Sequence, residues 1–219
     1  GIEHHVLDFR DTFHQYVVSN FVDEYAHGRT PNPCVMCNSH IKWGKLLEAA
    51  DAYGCDYVAT GHYAQIAEHR GHLYLKNAVD TIKDQTYFLY SLTQEQLAHT
   101  LFPLGGLTKQ AARQIAEEQG FINAQKRDSQ DICFIPDGDY AAFLRRYTGK
   151  EYPEGNYLDL SGKVVGRHKG AVCYTRGQRK GLGLALGQPV YVCQKDMQAN
   201  TVTVGPNSAL FSDTLIAKD

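Results

Sequence analysis

Two cysteines three positions apart are the residues of this chain with the clearest chemical potential. Cys34 and Cys37 lie in a run that also contains two prolines, residues 28–38. Asn38 and Ser39 are good helix-capping residues, and apolar residues behind them recur at the period of an amphipathic helix. The sequence therefore predicts that Cys37 abuts a helix N-terminus. Unpaired N–H groups and the helix dipole favour the thiolate there, which is the nucleophilic and metal-binding form.

A Cys-x-x-Cys pair alone has other interpretations. A structural zinc site needs a second pair of ligands at finger-like spacing, and none follows in this sequence. A thioredoxin-like motif follows a strand and opens a helix directly, whereas Pro31 and Pro33 predict an extended, irregular approach. A dithiol oxidoreductase that uses Cys34 and Cys37 alone stays open as an alternative.

A third cysteine, Cys133, lies where a polar stretch runs into a short apolar segment, residues 132–136. This pattern is typical of a loop that enters a strand. The simplest interpretation of Cys133 is a buried strand cysteine, because cysteine is among the most buried residue types. Considered together with Cys37, it suggests a pair that the fold brings together.

Hydrophobic periodicity indicates the elements that position these residues. The predicted helices cover residues 13–21, 41–53, 93–98 and 108–119, and the predicted strands cover residues 56–64 and 72–76. Alternating helices and strands predict an α/β fold with a parallel sheet flanked by helices. In such a sheet ligands bind at the carboxyl ends of the strands, which is where Gly61 lies.

The second part of the chain has a different pattern. A helix predicted over residues 139–147 is followed by Gly149, and from Tyr152 onward glycines separate short alternating segments, which predict antiparallel strands. We therefore predict an α/β domain over residues 1–136, a linking helix over 137–150 and a β-rich domain over 151–219.

Composition indicates an ordinary globular protein. Of 219 residues, 43% are hydrophobic and 21% are charged, and no apolar run approaches the roughly 18 to 20 residues that span a bilayer. No membrane partner is expected. Six cysteines in a chain of this length do not resemble a disulfide scaffold, so we predict a reducing, cytoplasmic location. Cys55, Cys173 and Cys193 are predicted to be core residues.

The net charge of −2 conceals a basic segment. No acidic residue occurs between Asp159 and Asp196, a stretch that contains seven lysines and arginines: Lys163, Arg167, Lys169, Arg176, Arg179, Lys180 and Lys195. Such a segment is typical of phosphate contact, although a solvated surface is the plainer alternative. Arg179 and Lys180 are the best candidates for RNA binding, because the flanking glycines let a backbone approach a ligand closely.

Longer motifs give the sequence a resemblance to a known family. They cover residues 28–33 with Cys37 and Asn38, and residues 59–64, 83–89, 102–105, 128–134 and 174–183. In these collinear motifs the chain resembles the tRNA-specific 2-thiouridylases. The resemblance implies a parallel-sheet ATP-pyrophosphatase (adenine nucleotide alpha hydrolase-like) portion followed by a small β-rich domain.

The resemblance also implies a reaction. These enzymes use ATP, with Mg²⁺, to transfer AMP to the 2-oxygen of the wobble uridine, and a sulfur nucleophile then displaces AMP. By resemblance Cys133 carries a persulfide sulfur received from a sulfur-relay donor protein. Cys37 then either attacks the persulfide to release sulfide or forms a disulfide with Cys133 after transfer.

Binding residues are carried over in the same way. The resemblance assigns Gly61 to nucleotide binding, and the tRNA contacts to Asn32, Pro33 and Cys34 at the target base and to His62, Lys83, Asp84 and Gln85 elsewhere. Taken alone, Asp84 is a helix-capping residue before an aromatic-rich run, and His62 is equally well a hydrogen-bonded structural histidine.

The sequence departs from the family pattern in two ways. The family's Ser-Gly-Gly-x-Asp-Ser loop is absent, and the chain ends where the family continues into a further β-barrel. We therefore expect an internal piece of a longer enzyme that is inactive alone. Cys34 falls where many members have aspartate, so Cys34, Cys37 and Cys133 could instead ligate an iron–sulfur cluster. The alternative function is a non-catalytic RNA-binding module with a cysteine-ligated metal or cluster.

Overall fold

A computed structural model describes residues 2–126, 132–214 and 216 of the chain. The chain forms two compact units. The first contains residues 1–19 and 32–130, and the second contains residues 20–31 and 131–219. The domain boundaries given above stay a prediction.

Two long helical runs open the structure. Helix α1 covers residues 10–26 and consists of Arg10–Phe13, a π-helical segment His14–Val18, and Ser19–Ala26. Helix α2 covers residues 33–52 and consists of Pro33–Cys37, a π-helical segment Asn38–Lys45, and Leu46–Ala52. The periodicity predicted both helices, but α2 begins well before residue 41, where its predicted start lay.

The strands of the first unit form two pairs. Strand β1 (Val58–Ala59) is parallel to β4 (Thr100–Leu101), and β2 (Ala64–His69) is antiparallel to β3 (His72–Asn77). The predicted strand over residues 56–64 is therefore wrong in extent. Thr60 N–H still donates to Leu101 O (3.1 Å), but the chain leaves the ladder at Gly61.

Shorter helices complete the first unit: the 3₁₀ helix Thr86–Leu89, α3 (Gln94–Ala98) and α4 (Lys109–Glu118). The predicted helices over 93–98 and 108–119 are confirmed, with capping side chains from Thr93 and Thr108. Trp43, Ala64 and Leu89 form the buried cluster of this unit. Gly105 allows a close approach to β2, since a Cβ there would lie 1.8 Å from the Ala64 carbonyl oxygen.

The second unit combines a helix with a four-stranded sheet. Helix α5 (Tyr140–Thr148) is capped by Asp139 and ends at Gly149, which has φ of 64°. The strands β5 (Gly155–Leu158), β6 (Val164–His168), β7 (Tyr191–Asp196) and β8 (Thr201–Gly205) lie in the order β6-β5-β8-β7. The helix predicted over residues 139–147 is confirmed, and its role as a link between domains stays a prediction. The sheet is not wholly antiparallel, because β5 and β8 pair in parallel.

Two apolar clusters form the core of the second unit. One lies on the sheet, around Tyr157 and Val202, and the other contains Phe21, Ile135 and Leu144. Short 3₁₀ helices over Ala171–Cys173 and Asn207–Leu210 complete this unit. No helix among the described residues is long and apolar enough to span a membrane.

The segment that contains Cys133 is not a strand. Ile135 N–H donates to Ile132 O (2.8 Å), which closes a turn. Phe134 makes an edge-on contact with Phe21, and Ile135 is 2% exposed. A turn satisfies this packing because it directs two successive side chains into one cluster, whereas a strand would send them to opposite faces.

Candidate active site

Helix α2 carries both cysteines of the Cys-x-x-Cys pair. Asn32 is its N-cap, with a side chain that accepts from Val35 N–H (3.4 Å), and Pro33 occupies the first helical turn. Cys34 is therefore in the first turn and exposed, and Cys37 is one turn further on and partly buried. The prediction that Cys37 abuts the N-terminus is wrong, because the cap lies at Asn32 rather than at Asn38.

Asn38 fixes this helix to the segment predicted to contact tRNA. It is 2% exposed, and its side-chain Nδ2 donates to Phe88 O (2.9 Å). One residue later, the hydroxyls of Ser39 and Ser91 lie 2.8 Å apart. The cysteine-bearing helix and the segment that follows Lys83 are thus held together within the first unit.

Asp84 and Gln85 use their side-chain oxygens inside the protein. The Asp84 carboxylate accepts from the N–H groups of Ala78 (2.7 Å) and Thr86 (3.1 Å). The predicted capping role of Asp84 is wrong, because the N-cap of the helix that follows is Gln85 and that helix has no side-chain cap among the described residues. Gln85 accepts from Tyr63 N–H through Oε1 (3.0 Å), and its own N–H donates to Tyr63 O (2.8 Å). These bonds join the predicted tRNA segment to the residues after Gly61. Lys83, which is partly buried, lies beside them in sequence.

His62 is buried between a hydroxyl and an ammonium group. Its Nδ1 lies 2.8 Å from Thr60 Oγ1, and its Nε2 lies 3.3 Å from Lys42 Nζ. A lysine ammonium can only donate, so Nε2 accepts and Nδ1 carries the proton that is donated to Thr60. Burial, reinforced by the positive charge of Lys42, lowers the pKa of His62 to about 4. The ring is therefore neutral at pH 7, and both ring nitrogens are engaged.

Gly61 is exposed and has space around it. A Cβ at this position would have Leu104 Cδ1 as its only close neighbour, at the ordinary contact distance of 3.7 Å. Packing within the protein therefore does not require glycine here. An open backbone next in sequence to His62, whose ring contacts the Lys42 ammonium, suits a nucleotide with negatively charged phosphates, so the residues present fit the predicted ATP site.

Neither a metal site nor a disulfide is seen in the described part of the chain. No group of three or more His, Cys, Asp or Glu side chains among the described residues is placed to hold a metal ion. The six cysteines, all of which lie in described segments, form no disulfide. The Mg²⁺ and iron–sulfur predictions thus receive no support here, and they stay predictions.

The remaining predicted site residues lie in the second unit and are exposed. Cys133 lies in the turn described above, and the residues 128–131 that precede it in the motif lie outside the described residues. Arg179 and Lys180 project from a loop that Gln178 holds, accepting from Thr175 N–H (3.0 Å) and donating to Lys180 O (3.0 Å). The flanking glycines adopt positive φ angles, 85° at Gly177 and 75° at Gly181, which glycine accommodates readily.

The other three cysteines differ from one another. Cys55 is exposed just after the turn that ends α2, so its predicted core position is wrong. Cys173 and Cys193 are partly buried, and burial raises the pKa of both thiols. Raised thiol pKa values disfavour the reactive thiolate.

Two domains of one family match the chain in sequence. Residues 1–137 match the model described as the tRNA methyl transferase HUP domain, and residues 141–206 match the tRNA methyl transferase PRC-barrel domain. The tRNA-specific 2-thiouridylase MnmA of Treponema denticola is 51% identical over 221 residues, which cover 99% of this chain and 60% of the relative. The chain belongs to the tRNA-specific 2-thiouridylase family.

Other members of the family match the chain to a similar extent. MnmA of Clostridium perfringens is 51% identical over the whole chain and 61% of the relative, and MnmA of Clostridioides difficile is 49% identical with the same coverage. The chain thus spans about 60% of the length of the curated relatives it matches. The predicted fold class, an α/β HUP domain followed by a small β-rich domain, is confirmed.

Sequence reasoning missed Lys42 and Thr60, which engage His62 from two sides. Both are of common surface types, and the motifs assign a role to neither, although Thr60 lies in the motif at residues 59–64. The sequence signal that could have found Lys42 is its position four residues after Asn38, which places both side chains on one face of the helix.

Proposed function

We propose that this protein, within its full-length enzyme, replaces the 2-oxygen of the wobble uridine of tRNA with sulfur. One observation carries the proposal: about half of all positions are identical, over the whole chain, to relatives named for 2-thiouridine formation in tRNA. The grouping in one unit of the cysteine-bearing helix, the open turn at Gly61 and the Lys83–Gln85 segment supports it.

The proposed chemistry begins with activation of the base. Oxygen at C2 of uridine is a poor leaving group, and ATP supplies the adenylyl group that converts it into a good one. Gly61 gives the nucleotide access to the backbone. Asn32, Pro33 and Cys34 contact the target base, which must leave the stack of the anticodon loop before it can react.

Sulfur transfer follows. Cys133 carries a persulfide, and the Cys37 thiolate attacks the sulfur bonded to Cys133. The bond to the terminal sulfur breaks, a Cys37–Cys133 disulfide forms, and hydrosulfide leaves with the electron pair. Hydrosulfide then adds to C2 and expels AMP. An external thiol reduces the disulfide before the next cycle. In the other order, the terminal sulfur attacks C2 directly and expels AMP. The Cys37 thiolate then attacks the sulfur of Cys133, which breaks the bond to the transferred sulfur, releases the 2-thiouridine and forms the disulfide.

The remaining residues bind tRNA in this proposal. Lys83 supplies charge to the RNA, and Asp84 and Gln85 position that segment through the bonds described above. Arg179 and Lys180 contact phosphates from the second unit. His62 contacts tRNA next to the Gly61 turn, with its ring oriented by Thr60 and Lys42.

The test is formation of 2-thiouridine by the full-length protein with tRNA, ATP and a persulfide donor, measured by mass spectrometry of digested tRNA. We expect the product only when all components are present. Methyl transfer, which the names of the matching domains suggest, would add a methyl group instead of exchanging oxygen for sulfur. A protein that bound tRNA but formed no 2-thiouridine would contradict the proposal. An anaerobic absorption spectrum, with iron and sulfide analysis, tests the cluster alternative.

A further inference from the structure

Two lysines of helix α2 have different surroundings. Lys45 is partly buried, as is Lys42, and is paired with Glu48 at 2.7 Å. Lys42 is partly buried, and no carboxylate of the described residues lies within ion-pair distance of its ammonium. The single hydrogen bond of Lys42 to a described residue goes to Nε2 of His62, at 3.3 Å. Lys42 therefore carries a positive charge that the described protein leaves uncompensated.

The charge of a partly buried ammonium without a carboxylate partner is compensated by water or by a ligand. Removing a cation partly from water without a counter-ion costs free energy. His62 cannot supply negative charge, because it is a neutral acceptor. Of the three N–H groups of the ammonium, one is used by His62, and two have no acceptor among the described residues. Those two donors are available to a ligand.

The ammonium is held at a defined place. His62 is bonded to Thr60 on one side and to Lys42 on the other, and these bonds fix the ring next to the open turn at Gly61. Cys34 and Cys37 lie on the same helix as Lys42. We infer that Lys42 binds a phosphate group of the substrate at this turn.

The ligand is identified by its chemistry. Phosphate oxygens accept charge-assisted hydrogen bonds from an ammonium group and supply the missing negative charge. A phosphate at this turn has two sources, the nucleotide and the RNA backbone. The inference rests on the proposed function, which brings both molecules to the first unit.

The experiment compares three variants of the full-length protein. Lys42→Gln removes the charge but keeps an N–H donor for His62, so it changes the fold little. Lys42→Arg restores the charge. Lys45→Gln, the matched control, removes a charge from the same helix where Glu48 already compensates it. Affinities for a non-hydrolysable ATP analogue and for a wobble-uridine anticodon stem-loop are measured separately, the second as a function of salt concentration.

We expect Lys42→Gln to lower the affinity for one of the two ligands roughly tenfold to hundredfold, the range for loss of a charge-assisted hydrogen bond. Lys42→Arg should recover most of the affinity, and Lys45→Gln should match wild type. Weaker binding of the analogue alone identifies a nucleotide phosphate. Weaker binding of the stem-loop, with a salt slope reduced by about one, identifies an RNA phosphate.

Equal affinities of wild type and Lys42→Gln for both ligands would overturn the inference and leave the proposed function intact. An equal loss in Lys45→Gln would also overturn it, because the effect would then come from net charge alone. A wild-type protein that bound neither ligand would contradict the inference and the proposed function together.

Discussion

The two units of this chain use their polar and apolar residues differently. In the first unit, side-chain hydrogen bonds converge on one region and hold helix α2, the Gly61 turn and the Lys83–Gln85 segment. Its buried apolar cluster is small. In the second unit, two larger apolar clusters pack against the sheet and α5. Arg179 and Lys180, which are predicted to bind RNA, are exposed in this unit. The first unit thus orients its predicted site residues through side-chain hydrogen bonds, and the second is a packed scaffold with Cys133, Arg179 and Lys180 exposed on it.

The two units also differ in how readily their candidate sites can be predicted from the sequence. The basic segment of the second unit is recognisable because it lacks acidic residues over a long stretch. The Thr60–His62–Lys42 arrangement has no such signature, because its members come from two elements. A core substitution in the second unit should therefore change stability, and a substitution at His62 should change the pH dependence of stability. Substitutions at the exposed site residues of either unit, Cys133 included, should change chemistry or RNA binding.

The largest expected effect on folding lies in the second unit. Leu144 is fully buried in the cluster with Phe21 and Ile135. Leu144→Ala should lower the free energy of unfolding by about 2–5 kcal/mol, because it removes buried methyl groups and leaves a cavity. Leu186→Ala, at a position 39% exposed in the same unit, is the control and should have little effect. Urea unfolding measures both, and equal losses would contradict the contrast between core and surface.

The second effect is a pH dependence in the first unit. The pKa of His62 falls from 6.5 to about 4 on folding, so the unfolded chain binds the proton more tightly. Stability is then complete above pH 6.5 and decreases as the pH falls towards 4, by about 3 kcal/mol in total. His62→Gln should lose this part of the dependence. Identical pH profiles of wild type and variant in urea unfolding would show that His62 is not responsible.

A smaller effect is expected at the exposed charges of the second unit. Replacing both Arg179 and Lys180 with alanine should weaken tRNA binding by the full-length protein. The salt slope should decrease by about one for each lost phosphate contact. The midpoint of urea unfolding should not change, because both side chains are exposed. Lys150→Ala, at an exposed position outside the basic segment, is the control, and an equal change there would indicate a general charge effect.

Much of the fold follows from local signals. The α3, α4 and α5 helices begin and end where capping residues and glycines indicate, because these signals act within a few residues. Strand β1 is shorter than its apolar run, since pairing with β4 depends on residues far along the chain. The parallel pairing of β5 with β8 likewise depends on residues far apart in the sequence.

The candidate site also contains residues that local motifs predict and residues whose role depends on distant parts of the chain. The motifs predict roles for Cys37, Gly61 and the Lys83–Gln85 segment, since these residues stand in recognisable runs, and those roles stay predictions. The start of α2 was placed too late because Asn38 and Ser39 offered a second, equally good capping signal, and the structure uses Asn32 instead. Lys42 was missed because its significance depends on which neighbours the fold supplies, namely His62 and no carboxylate among the described residues.

The central claim is that Cys133 carries the transferred sulfur and Cys37 completes its transfer. The most direct measurement is 2-thiouridine formation by cysteine variants of the full-length enzyme, read by mass spectrometry of digested tRNA, with pyrophosphate release measured in parallel. We predict that Cys133→Ser and Cys37→Ser form no 2-thiouridine but still release pyrophosphate when tRNA is present, because activation of the base precedes sulfur transfer. Cys34→Asp, which introduces the commoner family residue, should retain substantial activity. Continued thiolation by Cys133→Ser would contradict the account.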